Sequence, residues 1–393
     1  MSDVPERKLR LGVAGLGRAF TVMLPTLTQD PRVALVAAAD PRPEARQQFA
    51  AEFTAPAYET VEALCADPAV EAVYVATPHQ YHARHAVLAA QHGKHLLVEK
   101  PLALSLDECA AIIAATDRAG VRLVAGHSHA FDAPVRRLRA LVASGAFGRV
   151  RMINAFNYTD YLYRPRRPEE LDTAQGGGAL FNQAAHQVDM VRLVGGGRVA
   201  SVRAATGAWD PARPTEGAYA ALLTFTDGAF ASLAYSGYGH FDSDEFQGWI
   251  GEMGQAKTPY AAPPRPRFAR AAEEAAFKHA RNYGGPDYRP TAAPAAAHQH
   301  FGTLIASCER ADLRALPDAV MVYQDGATRR EALPPPTVPR IEVVDELYRA
   351  VVHGEAPLHD GPWAAATLEV MLAIQRSARE GRDVALSRQV EVR

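Results

Sequence analysis

The chain has 393 residues, 48% of them hydrophobic, and a formal net charge of -2, so it is long enough for two domains with substantial cores. The near-neutral balance, with no long block of like charge, leaves no field to capture nucleic acid or an anionic membrane. The charged start, Met1 to Arg10, lacks the apolar core of a secretory signal and no stretch approaches a membrane span, so a cytoplasmic protein with a small-molecule substrate is expected.

Leu9 to Ala14 is a short apolar run that ends in the glycine turn Gly12-Val-Ala-Gly15-Leu16-Gly17-Arg18, and Ala19 to Leu27 can continue as a helix. The cycle repeats. Strands are expected at Val33 to Ala39, Ala72 to Ala76, His95 to Val98 and Leu123 to Ala125, with helices at Pro43 to Glu52, Tyr81 to His92 and Ser105 to Ala119 between them. Ser105 followed by Glu108 has the spacing of a capping box. Alternating strands and helices specify a parallel sheet covered on both faces, whose ligands collect at the carboxyl ends of the strands. Past Phe131 the pattern changes to longer, alternating strands at Arg149 to Tyr158, Ala200 to Ala208, Gly217 to Phe225 and Ala229 to Tyr238, with Thr226-Asp227-Gly228 as a hairpin turn. An antiparallel sheet follows from that alternation. Residues 257–298 read as an irregular Pro- and Ala-rich insertion with a basic patch (Arg265, Arg267, Arg270) and a short helix near Ala271 to Arg281, while 341–381 carry C-terminal helices. The expected fold class is therefore α/β: a Rossmann parallel-sheet domain over 1–128, then an α+β domain over 129–393 with a largely antiparallel open sheet.

Four groups of residues carry chemistry. In the first, Gly15, Leu16, Gly17, Arg18, Ala19 and Phe20 form the turn and helix start at which a pyrophosphate binds free backbone N–H groups; Phe20 stands where the third glycine of G-x-G-x-x-G would be. Asp40, 23 residues beyond Gly17 at the end of the second strand, can accept hydrogen bonds from ribose hydroxyls. Its charge repels a 2′-phosphate and favours NAD, while Arg42 leaves NADP open. In the second, Thr77, Pro78, His79 and His82 follow the third of the main strands, and Glu99 with Lys100 follows the fourth. A lysine there becomes a proton donor or acceptor near neutral pH when burial or a nearby cation lowers its pKa; otherwise it is a surface lysine pairing with Glu99. In the third, Gly176-Gly-Gly178-Ala-Leu-Phe-Asn182-Gln-Ala-Ala-His186-Gln-Val-Asp189 has glycines that permit close approach of substrate or backbone. It sets Asn182 and His186 four apart on one helical face and puts Asp189 where it can orient His186. In the fourth, Tyr158, Tyr163, Arg164 and Arg166 suit a flat, anionic substrate, or else form a solvated loop pairing with Glu169, Glu170 and Asp172. His127-Ser-His129 and His298-Gln-His300 lack a companion Cys or carboxylate at ligand spacing, and Cys65, Cys109 and Cys308 are scattered, so no metal is expected.

Together these motifs resemble the glucose-fructose oxidoreductase / inositol dehydrogenase (Gfo/Idh/MocA) family. The resemblance rests on Gly12-Val-Ala-Gly15-Leu-Gly17-Arg18, Ala76-Thr77-Pro78-His79-Gln-Tyr-His82, Gly93 to Ala103 with Glu99-Lys100-Pro101, and Gly176 to Asp189. It implies a nicotinamide-dependent dehydrogenase in which Lys100 and His186 act as catalytic residues, with His129 among the substrate-binding residues. It also implies a homodimer or homotetramer formed through the C-terminal sheet. Asn182 stands where many members have Asp, so the proton work would fall to Lys100 and His186. The stretch Tyr158 to Asp172 and the ending Ala366 to Arg382 look like the phthalate dihydrodiol dehydrogenase subgroup, which implies a carboxylated cyclohexadiene cis-diol as substrate. A sugar or cyclitol dehydrogenase of the same family, and a nicotinamide-binding sensor without turnover, are the competing expectations.

Overall fold

The computed structural model describes residues 7–126, 128–261, 268, 270–290 and 295–393. His127, Arg265 and Arg267, singled out from the sequence, lie outside the described residues. In chain order the elements begin β1 (Leu9–Ala14), α1 (Arg18–Gln29), β2 (Val33–Ala39), α2 (Pro43–Phe53), β3 (Ala57–Tyr58), α3 (Val61–Ala66), β4 (Ala72–Val75), α4 (His82–Gln91), β5 (His95–Val98), α5 (Leu106–Ala119) and β6 (Leu123–Ala125). There follow α6 (Ala133–Ala143), β7 (Val150–Tyr158), α7 (Ala185–Val194), β8 (Val199–Gly207), β9 (Ala218–Phe225), β10 (Phe230–Ser236), α8 (Ala271–Ala280), β11 (Thr303–Cys308), β12 (Asp312–Leu316), β13 (Ala319–Gln324), β14 (Ala327–Ala332), α9 (Ile341–Val352), α10 (Gly361–Glu380) and β15 (Val384–Ala385).

Two compact units emerge. The first comprises Met1–His127, Ala275–Ala292 and Val338–Ala365, and the second Ser128–Glu274, Ala293–Thr337 and Ala366–Arg393. A second domain running unbroken from 129 to 393 was expected; instead the chain returns twice to the first unit. The reason is apolar and polar anchoring: α9 buries Val343, Val344, Leu347 and Tyr348, Arg32 bonds Asp345, and Tyr283 is fully buried against Phe20.

The first unit's sheet has the order β3-β2-β1-β4-β5-β6, all parallel. Its central strands are buried on both faces, as β4 (all four residues) and β5 (three of four) illustrate, which is why they read as unbroken apolar runs. The strand order reverses between β1 and β4, and in sheets of this kind ligands bind in the crevice at that switch point. Helix α5 starts as expected: Ser105 Oγ accepts from the Glu108 amide while Glu108 caps the Ser105 N–H.

The second unit is built on a nine-stranded sheet, β14-β13-β12-β11-β7-β10-β9-β8-β15. Only β7 and β10 run parallel among its pairs. Along β9 the residues alternate strictly in burial from Tyr219 to Phe225, so one face is packed and the other open. Among the described residues no helix is long and apolar enough to cross a membrane.

Candidate functional site

The first cluster lies at the switch point of the parallel sheet. Gly15 adopts φ +94°, and a Cβ there would come within 2.9 Å of the Ala76 carbonyl oxygen and 3.0 Å of the Thr77 nitrogen. Gly17, in contrast, has an ordinary negative φ, and a Cβ on it would meet nothing within 4 Å. One glycine is required by the protein's own packing; the other keeps the start of α1 open. Asp40 ties this turn to β2: Oδ2 accepts from the Leu16 amide at 2.8 Å and Oδ1 from the Arg42 amide at 2.9 Å. Arg42 pairs with both Asp40 oxygens, at 2.9 and 3.1 Å. These residues fit a dinucleotide: an uncluttered helix N-terminus for the pyrophosphate and a buried, hydrogen-bonded carboxylate at the ribose position. Phe20, the departure from the glycine pattern, is fully buried, with Tyr283 edge-on at 5.1 Å and Phe49 at 6.3 Å. Arg18 and Ala19 occupy the first turn of α1.

Around Lys100 the placement is mixed. Thr77, Pro78 and His79 form the turn after β4, and Lys100 sits half-buried after β5, ahead of a cis peptide to Pro101. Glu99 is buried and accepts from Tyr74 Oη at 2.6 Å, so it is not the surface partner of a surface lysine. Burial raises the Glu99 pKa, with Lys100, Tyr74 and Arg340 opposing the rise. His82, expected to touch cofactor, is instead an internal strut with no exposed surface: its two ring nitrogens lie 2.8 Å from the Pro101 and Thr77 carbonyl oxygens. Burial lowers its pKa. Thr77 Oγ1 is taken by His85 Nδ1 at 3.0 Å.

The second cluster lies within the second unit. His186 and His129 are both buried, ring centroids 4.7 Å apart, and Phe301 packs on both, at 5.1 and 5.3 Å. Tyr235 stacks on Phe301 at 6.0 Å, and Tyr219 on Tyr235 at 5.6 Å. His129 is flanked by acids, Asp132 Oδ2 2.6 Å from Nδ1 and Glu252 Oε1 3.5 Å from Nε2. Burial opposes its charged form, but Asp132 and Glu252 outweigh burial and raise its pKa. Glu252 in turn is driven down to about 2: burial works against this, and the His129 bond with the charges of Arg164, His129 and His300 prevails.

Several expectations for this unit are corrected. Asp189, expected to orient His186, is held by two hydroxyls: its oxygens accept from Ser128 Oγ and, at 2.9 Å, from Thr367 Oγ1. The acid-oriented imidazole is His129. Asn182 and His186 do not share a simple helical face, because Leu180–Ala184 forms a π-helical turn before α7, and widening one turn shifts the register of everything after it. Asn182 Nδ2 turns back to donate to the Gly176 and Gly178 carbonyls at 3.2 and 3.0 Å. The glycine run admits the chain itself: a Cβ on Gly178 would lie 2.3 Å from Glu216 Oε1, and one on Gly177 2.7 Å from the Glu170 backbone.

The aromatic-basic stretch is largely self-satisfied. Tyr163 donates to Asp210 at 2.9 Å. Tyr158 packs edge-on to Phe241. Arg166 stacks over the Tyr161 ring at 3.7 Å and donates to the Tyr161 carbonyl. Arg167 pairs with Glu169 and Glu170. Arg164 bonds Asp160 at 2.8 Å and lies 3.8 Å from Glu252, one of the acids beside His129. His298 and His300 are engaged by the Pro334 and Ile250 carbonyls. Among the described residues no group of three His, Cys, Asp or Glu is arranged to hold a metal ion. Sequence reasoning missed Asp132, Glu252, Phe301 and Tyr235; only Asp132, three residues after His129, left a local signal.

Comparison with known proteins fits this geometry. Residues 9–127 match the model of an oxidoreductase family with an NAD-binding Rossmann fold, and residues 135–256 match the GFO/IDH/MocA C-terminal domain. A 1-carboxy-3-chloro-3,4-dihydroxycyclohexa-1,5-diene dehydrogenase of Comamonas testosteroni is 47% identical over 372 residues, covering 93% of this chain and 94% of that one. A crystal structure from Bordetella bronchiseptica RB50 is 43% identical with a TM-score of 0.88, covering 96% of this chain and all of that one. The WlbA dehydrogenase of Bordetella pertussis, solved with NADH and UDP-GlcNAcA, shares the fold at 23% identity and a TM-score of 0.67, covering 97% of this chain and 99% of that one. The chain belongs to the Gfo/Idh/MocA oxidoreductase family and is a dehydrogenase with an NAD-binding Rossmann domain.

Proposed function

We propose that this dehydrogenase oxidises a carboxylated cyclohexadiene cis-diol to the corresponding catechol. The observation that carries the reading is the buried His129–His186 pair with Phe301 packed on both rings and Tyr235 stacked on Phe301: the imidazole of His186 suits a ring hydroxyl, and flat aromatic faces suit a flat unsaturated ring. The Comamonas testosteroni relative, named for a chlorinated substrate of this class, supports it. Arg164 is the residue for the carboxylate, since its partner Asp160 is half exposed and an exposed ion pair exchanges at little cost.

Gly15, Gly17 and the start of α1 would hold the pyrophosphate, and Asp40 the adenosine ribose; when bound, NAD supplies the hydride acceptor. The chain's own residues handle the proton. Lys100 and His186 are the catalytic candidates, one in each unit: in the second, His186 takes the proton of the substrate hydroxyl as the carbon bearing it becomes a carbonyl and its hydride leaves to the nicotinamide, and the resulting dienone then shifts a ring proton to oxygen and becomes aromatic. Holding the hydroxyl against a fixed base converts the reaction to an effectively unimolecular one. Self-association through the open face of the nine-stranded sheet, where Leu222 and Phe230 are exposed on neighbouring strands, gives a homodimer or homotetramer, which light scattering on the purified protein measures.

The test is a substrate panel followed at the reduced-nicotinamide absorbance. Turnover of carboxylated cis-dihydrodiols at kcat/KM well above that of inositols and aldoses is expected. Preference for a cyclitol or sugar, or tight NADH binding with no oxidation of any diol or polyol, would reject the reading.

A further inference from the structure

Residues 275–290, far along the chain from the glycine turn, belong to the first unit and pack on α1 and α2. Tyr283 anchors them. Its ring meets Phe20 edge-on at 5.1 Å, its hydroxyl donates to Glu52 at 2.7 Å, and its carbonyl accepts from Arg42 Nη1 at 3.0 Å. Gly284, at φ +82°, lies so close to α2 that a Cβ would come within 2.6 Å of the Ala45 backbone. His279 reaches Glu44 at 3.0 Å, and Tyr288 stands edge-on to Tyr283 at 5.4 Å.

The consequence falls on Arg42. By position this is the cation able to receive a 2′-phosphate, yet its guanidinium donates to Asp40 Oδ1 and Oδ2, the Leu16 carbonyl and the Tyr283 carbonyl. These bonds use four of its five N–H groups. Two of them close the triangle between β2, the glycine turn and the returning segment.

We propose that segment 275–290 is a cofactor-selectivity element: by supplying the Tyr283 carbonyl and filling the space against Phe20, it clamps Arg42 onto Asp40 and Leu16, so that the ribose site presents a carboxylate rather than a cation and rejects NADP. Phe20 then has its place in the same device, as the platform on which Tyr283 rests. Arg42 is a positioning residue here, acting through Asp40. The inference rests on NAD binding, not on the diol substrate, and is tested without any substrate present.

The experiment is equilibrium binding of NADH and NADPH to the purified full-length chain by fluorescence titration. Wild type is expected to bind NADH more tightly. In Tyr283→Ala, which removes the Phe20 contact and the Glu52 bond, and in Gly284→Ala, which pushes the segment off α2, the NADPH-to-NADH ratio of Kd should narrow by about tenfold, the loss of one charge-assisted hydrogen bond. Circular dichroism checks that each variant is folded. Arg42→Ala provides an arm independent of those variants: because Arg42 is already spent, its removal should leave NADPH no weaker relative to NADH. Equal wild-type affinity for the two cofactors, an unchanged ratio in the folded segment variants, or a selective loss of NADPH binding by about tenfold or more in Arg42→Ala overturns the proposal.

Discussion

His129 and His186 meet edge to face, ring centroids 4.7 Å apart and planes inclined at 62°, and it is His129 that carries the acid partners. The pair is therefore unequal. Asp132 and Glu252 favour a charged His129 in the folded state, and that preference is a stability term with a definite sign. A histidine whose folded pKa is raised contributes stability that is fully present below its unfolded value of about 6.5 and lost as pH rises through the folded value.

Asp132→Asn should therefore destabilise the protein by about 3 kcal/mol in mildly acidic buffer, since it strands a buried cation. The deficit relative to wild type should shrink as pH rises past neutrality. Urea unfolding of both proteins between about pH 5.5 and 9 measures this; a deficit constant across the range would mean that His129 is neutral throughout.

His186→Ala should lower kcat by roughly a hundred- to ten-thousand-fold, the usual loss on removing a general acid or base, with NADH affinity retained because the nucleotide residues lie in the other unit. Phe301→Ala removes the ring that packs on both imidazoles and should raise KM for a diol more than it lowers kcat. Steady-state kinetics beside NADH titration separate the two, and full turnover in His186→Ala would remove that residue from the chemistry.

Placing a carboxylate at position 182 should not improve the enzyme. The Asn182 amide donates to two backbone carbonyls at the start of its own helix; an ionised Asp has no proton to give and would face both oxygens. Asn182→Asp should cost about 1–3 kcal/mol, the penalty of leaving buried polar groups unsatisfied, and should lower Tm. An unchanged Tm with higher kcat would show instead that position 182 faces the reacting group.

The main strands of the parallel sheet were readable because strands buried on both faces appear as bare apolar runs, and β1, β2 and β5 run between the expected residues; the two-residue β3, the short α3 and the returning segments carry no such run. The strands β11 to β14 escaped notice. β14 is exposed along nearly its whole length and reads Ala-Thr-Arg-Arg-Glu-Ala, a sequence with no apolar alternation to detect; the Asp325-Gly326 turn before it was the available signal. The same distinction holds at the site. Lys100 and His186 announce themselves in local motifs, whereas Glu252 reaches His129, and Phe301 reaches both His129 and His186, from distant parts of the chain that no spacing links. Asp189, three residues from His186 in sequence, also accepts from Ser128 and Thr367, partners that no local spacing announces.

The two glycines of the nucleotide turn should fail differently. Gly15→Ala must place a Cβ against the Ala76 and Thr77 backbone at a positive φ, so it should lower stability by about 1–3 kcal/mol and disturb cofactor binding as a by-product. Gly17→Ala has an ordinary φ and no protein atom within reach of the new methyl, so its Tm should match wild type, while the added carbon blocks the approach of a pyrophosphate to the helix start. NADH affinity in Gly17→Ala should fall by about tenfold or more, equivalent to about 1.4 kcal/mol. Thermal unfolding and NADH titration of both variants give the comparison: a Gly17→Ala protein that binds NADH as wild type does would mean that the phosphates lie elsewhere than at the start of α1.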